Sequence, residues 1–307
     1  MAPQQVASPD ELSRVLTFAN GKGGVGKTTC AVNVAGLAAA AGWRTLLIDL
    51  DPQGNVGHDL GYAWANAGDH GQHLVDALVT GQALQPVLTD VRPNLDVISG
   101  GEALDDLEDV MSGRARRNQT THALLAEALS GLASNYDLIV IDTPPTRPSL
   151  LHLALSATRW IIVPTRADRS SIEGLRTLAA QIVRARTINP LIGVLGAVLF
   201  DSGTSATVVR RNAITDIENA LDGAAPIFDS VVRHSESAAV DSREQGILAH
   251  ELAEKADAAE PYWKALREGR TPTRVPGSAP ALAEDYVLLT QEVLTRIAAH
   301  EEQEATA

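Results

Sequence analysis

Along most of the chain, short apolar runs rich in β-branched residues alternate with longer stretches of helical periodicity. The runs RVLTFAN (14–20), RTLLID (44–49), NLDVIS (94–99), DLIVID (137–142), RWIIVPT (159–165) and LIGVLGAVLF (191–200) predict strands. Several are apolar throughout rather than alternating, the pattern of strands covered on both faces. Between them the spacing predicts helices over 27–41, closed by Gly42, and over 102–112, 119–133 and 171–187. Strand and helix in alternation predict an α/β fold, a twisted, mostly parallel sheet flanked by helices on both faces.

Beyond residue 200 the pattern is less regular. Helices are expected over 205–221 and 243–257, with a short strand at PIFDSVVR (226–233). Pro, Gly and basic residues then gather in EPYWKALREGRTPTRVPGSAP (260–280), which reads as a surface excursion. The expected layout is a polar lead-in over 1–13, a main domain over 14–258 and a surface insertion over 259–280. A helix over 281–300 packs on the same domain, and the acidic EEQEATA (301–307) is a frayed tail.

Composition narrows the class. With 307 residues, 45% hydrophobic and 21% charged, the chain can bury a large core and reads as a soluble globular protein. Its net charge of −13 argues against a dedicated nucleic-acid coat, although a local basic patch is compatible with it. The single cysteine, Cys30, excludes an internal disulfide and a cysteine-built metal site, and reads as a small buried residue. The start carries no apolar signal core and LIGVLGAVLF is too short to span a bilayer, so a cytoplasmic protein is expected.

Three motifs carry chemistry. Gly21 through Thr28 fit G-x-x-x-x-G-K-[ST], placed after a strand and before a helix. There the backbone N–H groups of Gly21, Lys22, Gly23, Gly24, Val25 and Gly26 can curl around phosphate oxygens, and the helix that follows adds its dipole. Lys27 would reach the β- and γ-phosphates and Thr28 would ligate Mg²⁺, with Thr29 completing the nucleotide loop. The second motif, LLIDLDPQGN (46–55), sets Asp49 and Asp51 at the end of a buried strand, where a carboxylate can orient or deprotonate a water. The third, YDLIVIDTPP (136–145), ends its strand in Asp142, the usual form of the acidic residue that holds Mg²⁺.

With all three in place the chain resembles the ParA/MinD group of deviant Walker-A ATPases. The group's K-G-G-V-G-K-T loop stands here as Lys22 to Thr28, and DLDPQGN and VIDTPP match its other nucleotide motifs. The resemblance runs from about residue 15 to 250, and EDYVLLTQEVL resembles the group's last helix. It implies a P-loop NTPase fold and a Mg²⁺-dependent ATPase in which two ATP-bound subunits pack face to face as a homodimer. By the same resemblance Lys22 reaches across to the partner's phosphates, Asp51 is required for hydrolysis, and Asp49 is its companion in the switch region and a third candidate Mg²⁺ ligand beside Thr28 and Asp142. Unstimulated turnover is expected to be slow, because no arginine finger can be identified.

Outputs differ within the group. Membrane-binding members end in a basic amphipathic helix, whereas this chain ends RIAAHEEQEATA. Iron–sulfur relatives need cysteine ligands, and tyrosine-kinase relatives carry tyrosine-rich tails that are missing here. What remains closest is the ParA branch, which implies ATP-dependent, nonspecific DNA binding, a ParB-like stimulating partner, association with the nucleoid, and segregation of plasmid or chromosomal DNA. SVVRHSESAAV (230–240) resembles the stretch that places a DNA-contacting arginine at Arg233, whereas FDSGT (200–204) has Gly203 where the group often has arginine. Arg210 and Arg211 could compensate, as could Lys264, Arg267, Arg270 and Arg274. Two alternatives stay open: a metabolic P-loop enzyme of the same superfamily, and a positioning protein acting on a membrane or polar scaffold.

Overall fold

The computed structural model describes residues 11–117, 123–202, 207–221, 225–260, 264, 267–269 and 276–306. One eight-stranded sheet organises them, in the order β3-β4-β2-β5-β1-β6-β7-β8. The strands are β1 (Val15–Phe18), β2 (Thr45–Asp49), β3 (Leu88–Arg92), β4 (Leu95–Ile98), β5 (Leu138–Asp142), β6 (Trp160–Thr165), β7 (Gly193–Ser202) and β8 (Ile227–Arg233). Every pairing is parallel except β3 with β4. The expected sheet, helices on both faces included, is therefore present, and all six strands read from apolar runs form.

Alternation within each strand divides the core between the faces. Leu16 and Phe18 of β1, Leu47 of β2 and Val140 of β5 join one buried cluster. Val15, Leu46, Ile48, Ile139 and Ile141 join another on the opposite face. That is why these runs are apolar throughout. On the first face lie α1 (Lys27–Ala40), α10 (Ala249–Ala258) and α11 (Ala279–Thr306), with α1 and α10 both packed on α11. The other face carries α3 (Gln72–Thr80), α4 (Ala103–Arg116), α5 (Leu124–Leu129) and α6 (Pro148–Ala157), then α7 (Arg169–Ala185) and α8 (Thr207–Leu221). Cys30 is buried in α1, as its surroundings in the sequence suggest.

Three expectations are corrected. The helix expected over 243–257 is two helices, α9 (Glu236–Gln245) and α10, because Gly246 turns the chain with φ +62° and abuts the equally left-handed Gly61. The stretch 119–133 narrows to α5 and a 3₁₀ turn at Ala133–Asn135, and residues 118–122 lie outside the described ones. The frayed tail is instead the end of α11, which runs unbroken to Thr306. There Glu301 accepts from Arg14 at 2.6 Å and Glu304 pairs with Arg159, so the acidic end is anchored to the start of the sheet. Half of the insertion expected over 259–280 falls outside the described residues, as do Gly203, Arg270 and Arg274.

Candidate nucleotide site

The carboxyl ends of β1, β2 and β5 meet at one edge of the sheet, with Asp49 and Asp142 directly opposite each other in the ladder. From β1 the chain enters the loop Gly21–Gly26 and then α1. Asn20 fixes the loop's entry: its side chain donates to the Pro164 carbonyl at 2.8 Å and accepts from the Lys22 N–H at 3.0 Å. Gly26 has φ +87°, and a Cβ there would lie 2.4 Å from the Phe200 ring, so backbone and space both require glycine. Lys27 is buried, and its Nζ donates to the Lys22 carbonyl at 3.0 Å across the mouth of the loop. Burial lowers the Lys27 ammonium from its ordinary range, and the carboxylates of Asp142 and Asp51 oppose that shift.

The carboxylates divide their labour by geometry. The Thr28 hydroxyl donates to Asp142 Oδ2 at 2.6 Å, while the buried Asp142 Oδ1 has no hydrogen-bond partner among the described residues. Burial pushes Asp142 up to about 7, against the pull of the Thr28 hydroxyl and Lys27. Asp51 faces the cleft and accepts the Gln53 N–H at 2.9 Å. Asp49 is spent differently: one oxygen accepts the Asp51 N–H at 2.8 Å and the other the Val56 N–H at 3.3 Å. Its carboxyl, fully buried and raised well above the usual range by burial, pins the loop that leads into α2 (Asn55–Leu60). Both oxygens of Asp49, a candidate metal ligand from the sequence, are thus turned to backbone N–H groups of the loop.

A cleft of about 510 Å³ opens over the loop, lined by Gly23, Gly24, Lys27, Thr28 and Asp51 among others. Lys22 is exposed and does not line it. A second cleft of about 470 Å³ adjoins the first and shares Thr29, Phe200 and Arg243 with it. Sequence reasoning missed Phe200, Asp59, Arg147 and Arg243 here. Arg147 lines the phosphate cleft while bridging Asp105 at 2.7 Å and Glu108 at 2.5 Å on α4. Nothing local marks these residues, since each is brought in by a different element.

The arginines expected to meet DNA separate. Arg233 forms a fork with Asp285 of α11, its Nε and Nη2 each donating at 2.6 Å, and its backbone N–H donates to the same carboxylate. Asp285 is only 6% exposed, so this arginine is committed to holding α11 on β8. Arg211 is exposed, the Arg210 side chain lies outside the described residues, and Lys264 pairs with Glu260 at 3.0 Å. Arg267 is exposed as well. No helix among the described residues is long and apolar enough to cross a membrane.

A parallel sheet whose central strand feeds a glycine loop, a lysine and a hydroxyl into a helix N-terminus defines a P-loop nucleotide-binding protein. A family model described as an AAA domain matches residues 13–193. The chromosome partitioning protein ParA of Caulobacter vibrioides is 33% identical over 265 residues, covering 83% of this chain and 93% of that protein. The chain belongs to the ParA/MinD family of ATPases. Among solved structures, the ATP complex of McdA from Cyanothece superposes with a TM-score of 0.69 at 20% identity, covering 92% of this chain and 96% of that one. Cobyrinic acid a,c-diamide synthase from Mycobacterium smegmatis, solved with ADP and magnesium, superposes with a TM-score of 0.61 at 26% identity, covering 86% and 99%.

Proposed function

We propose that the chain is a Mg²⁺-dependent ATPase of the ParA type: it dimerises on ATP, binds DNA without sequence preference as a dimer, and hydrolyses ATP when a ParB-like partner stimulates it, so segregating plasmid or chromosomal DNA. The observation that carries the reading is the convergence of Lys27, Thr28 and Asp51 on one cleft, with Asp142 buried behind the Thr28 hydroxyl that bonds it, beside a second lysine that faces outward. The backbone of Gly23, Gly24 and Gly26 cradles the phosphates, and Lys27 exchanges its bond to the Lys22 carbonyl for phosphate oxygens. Asp51, fixed through Asp49, orients the water that attacks the γ-phosphorus and accepts its proton, giving ADP and phosphate. The largely apolar second cleft takes the nucleoside.

The donor set fits Mg²⁺. Thr28 and Asp142 offer hard oxygens 2.6 Å apart, and Asp142 Oδ1 is a buried acceptor without a partner among the described residues. No cluster of three acidic, histidine or cysteine side chains suited to a metal occurs among the described residues, so phosphate oxygens and water must complete the shell. The ion, when bound, neutralises charge on the phosphates. On DNA the reading rests on Arg211 and Arg210, with Arg233 serving structure through Asp285.

Steady-state phosphate release with and without random-sequence DNA and the cognate partner tests this. Slow turnover alone, a rise of at least about tenfold with both, and salt-sensitive DNA binding only in the presence of ATP are expected. ADP formation that depends on a small molecule and ignores DNA would instead place the chain with the metabolic enzymes. ATP-dependent binding to vesicles or a polar protein, without DNA binding, would place it with the positioning proteins.

A further inference from the structure

Between the two clefts stands an ion pair that the phosphate-loop chemistry does not use. Asp59 of α2 is 8% exposed, and its Oδ1 accepts from Arg243 Nε of α9 at 2.7 Å. Its other oxygen, Oδ2, is buried and has no hydrogen-bond partner among the described residues. Burial raises Asp59 above the ordinary carboxylate range, and the pairing with Arg243, with smaller help from the neighbouring Thr29 hydroxyl, opposes that shift. Thr29 directly follows Lys27 and Thr28 on the first turn of α1. Phosphates seated on the loop therefore arrive beside a buried carboxylate, and in a poorly screened site the two repel. Arg243 is the cation placed to offset that repulsion. Its guanidinium is half exposed, lines both clefts, and bonds Asp59 through Nε alone, leaving its Nη groups for another acceptor.

We infer that Arg243 is a nucleotide-binding residue: held in place by Asp59, its guanidinium takes the α-phosphate and ribose side of the nucleotide where it passes from the phosphate cleft into the second cleft. The inference rests on the reading of the loop as an ATP site. ADP and ATP share the atoms concerned, so Arg243 acts equally on both, unlike a group that senses the γ-phosphate. Asp59 is a positioning residue. Its negative charge is tolerated beside phosphate only while Arg243 is present.

Equilibrium binding of fluorescent ADP and ATP with Mg²⁺ to the full chain and to R243A, D59N and D59N/R243A tests this. R243A is expected to weaken both nucleotides by about tenfold or more, as loss of a charge-assisted hydrogen bond should. D59N should bind as tightly as the parent or up to about threefold tighter, and the double variant should fall between D59N and R243A. Should R243A fail to fold, D59N and D59N/R243A, in which no buried charge is stranded, carry the test, and the double must bind at least about threefold less tightly than D59N. R243A within twofold of the parent, or a double variant equal to D59N, overturns the inference. A parent that binds neither nucleotide overturns the ATP-site reading itself.

Discussion

Asp49 and Asp51 lie two residues apart at the end of one strand, yet they do different things. Asp49 is fully buried and turns both oxygens to backbone N–H groups of the loop, whereas Asp51 lines the phosphate cleft. Replacing Asp51 by Asn keeps the loop geometry and the bond to the Gln53 N–H but removes the base. We expect Asp51→Asn to keep ATP affinity within about threefold of the parent while lowering partner-stimulated turnover by about 10²-fold or more, read by phosphate release. Equal losses of binding and turnover would show that Asp51 shapes the loop instead. The residues alone name this pair, and only the family resemblance divides its roles, because the physical division depends on which oxygen faces which element. The same holds for Asp59 and Arg243, which are 184 positions apart and meet only because α2 and α9 pack together. The contiguous motif Gly21–Thr29 is legible in full, since strand, glycines, lysine and hydroxyls act through one local turn.

Among elements, legibility follows burial. Six of the strands evident from sequence are buried apolar runs, whereas β8, read from PIFDSVVR, is a half-buried strand at the other edge of the sheet. The strand that escapes, β3, is an edge strand with a half-exposed, polar sequence, LTDVR, and it pairs antiparallel with β4 alone. The helix pair α9 and α10 reads as one helix because a lone Gly246 within a helical pattern looks tolerable until Gly61 is found against it. Helix α7 shows what local chemistry sets with certainty. Asp168 caps it, accepting from the Ser171 N–H at 3.0 Å and from the hydroxyls of Ser170 and Ser171 at 2.6 and 2.7 Å. Those hydroxyl bonds, Ser170 first, depress Asp168 to about 2. A depressed folded-state value means stability that is fully present above the ordinary aspartate range and lost as pH falls toward 2. Asp168→Ala should therefore cost about 1 kcal/mol near pH 7, measured by chemical denaturation. The gap between variant and parent should shrink below about pH 4. A gap that is constant with pH would mean that the side chain's packing, not its charge, caps the helix.

For the whole molecule the proposed dimer raises the question of how two such chains would meet. Each carries a net charge of −13, and a face-to-face dimer would add two nucleotides to the seam, so long-range electrostatics oppose association. A local cation at the seam has to reverse that. Lys22 is well placed to supply it, being exposed and absent from the lining of its own cleft, while Lys27 serves the phosphates within the chain. Its backbone is fixed on both sides, by the bond from its N–H to Asn20 and by the close approach of Gly174 on α7, where a Cβ would come within 3.2 Å of the Lys22 Cβ. The outward posture is thus built into the packing of α7 on the loop. Under saturating ATP and Mg²⁺, with hydrolysis blocked by Asp51→Asn, sedimentation velocity should show a dimer for the parent loop. Lys22→Ala should weaken that dimer by about tenfold or more while keeping ATP affinity within about threefold, whereas Lys27→Ala should lose ATP binding first and the dimer in consequence. A Lys22→Ala protein that dimerises with ATP as tightly as the parent would remove the trans role and leave Lys22 a solvated residue of the loop.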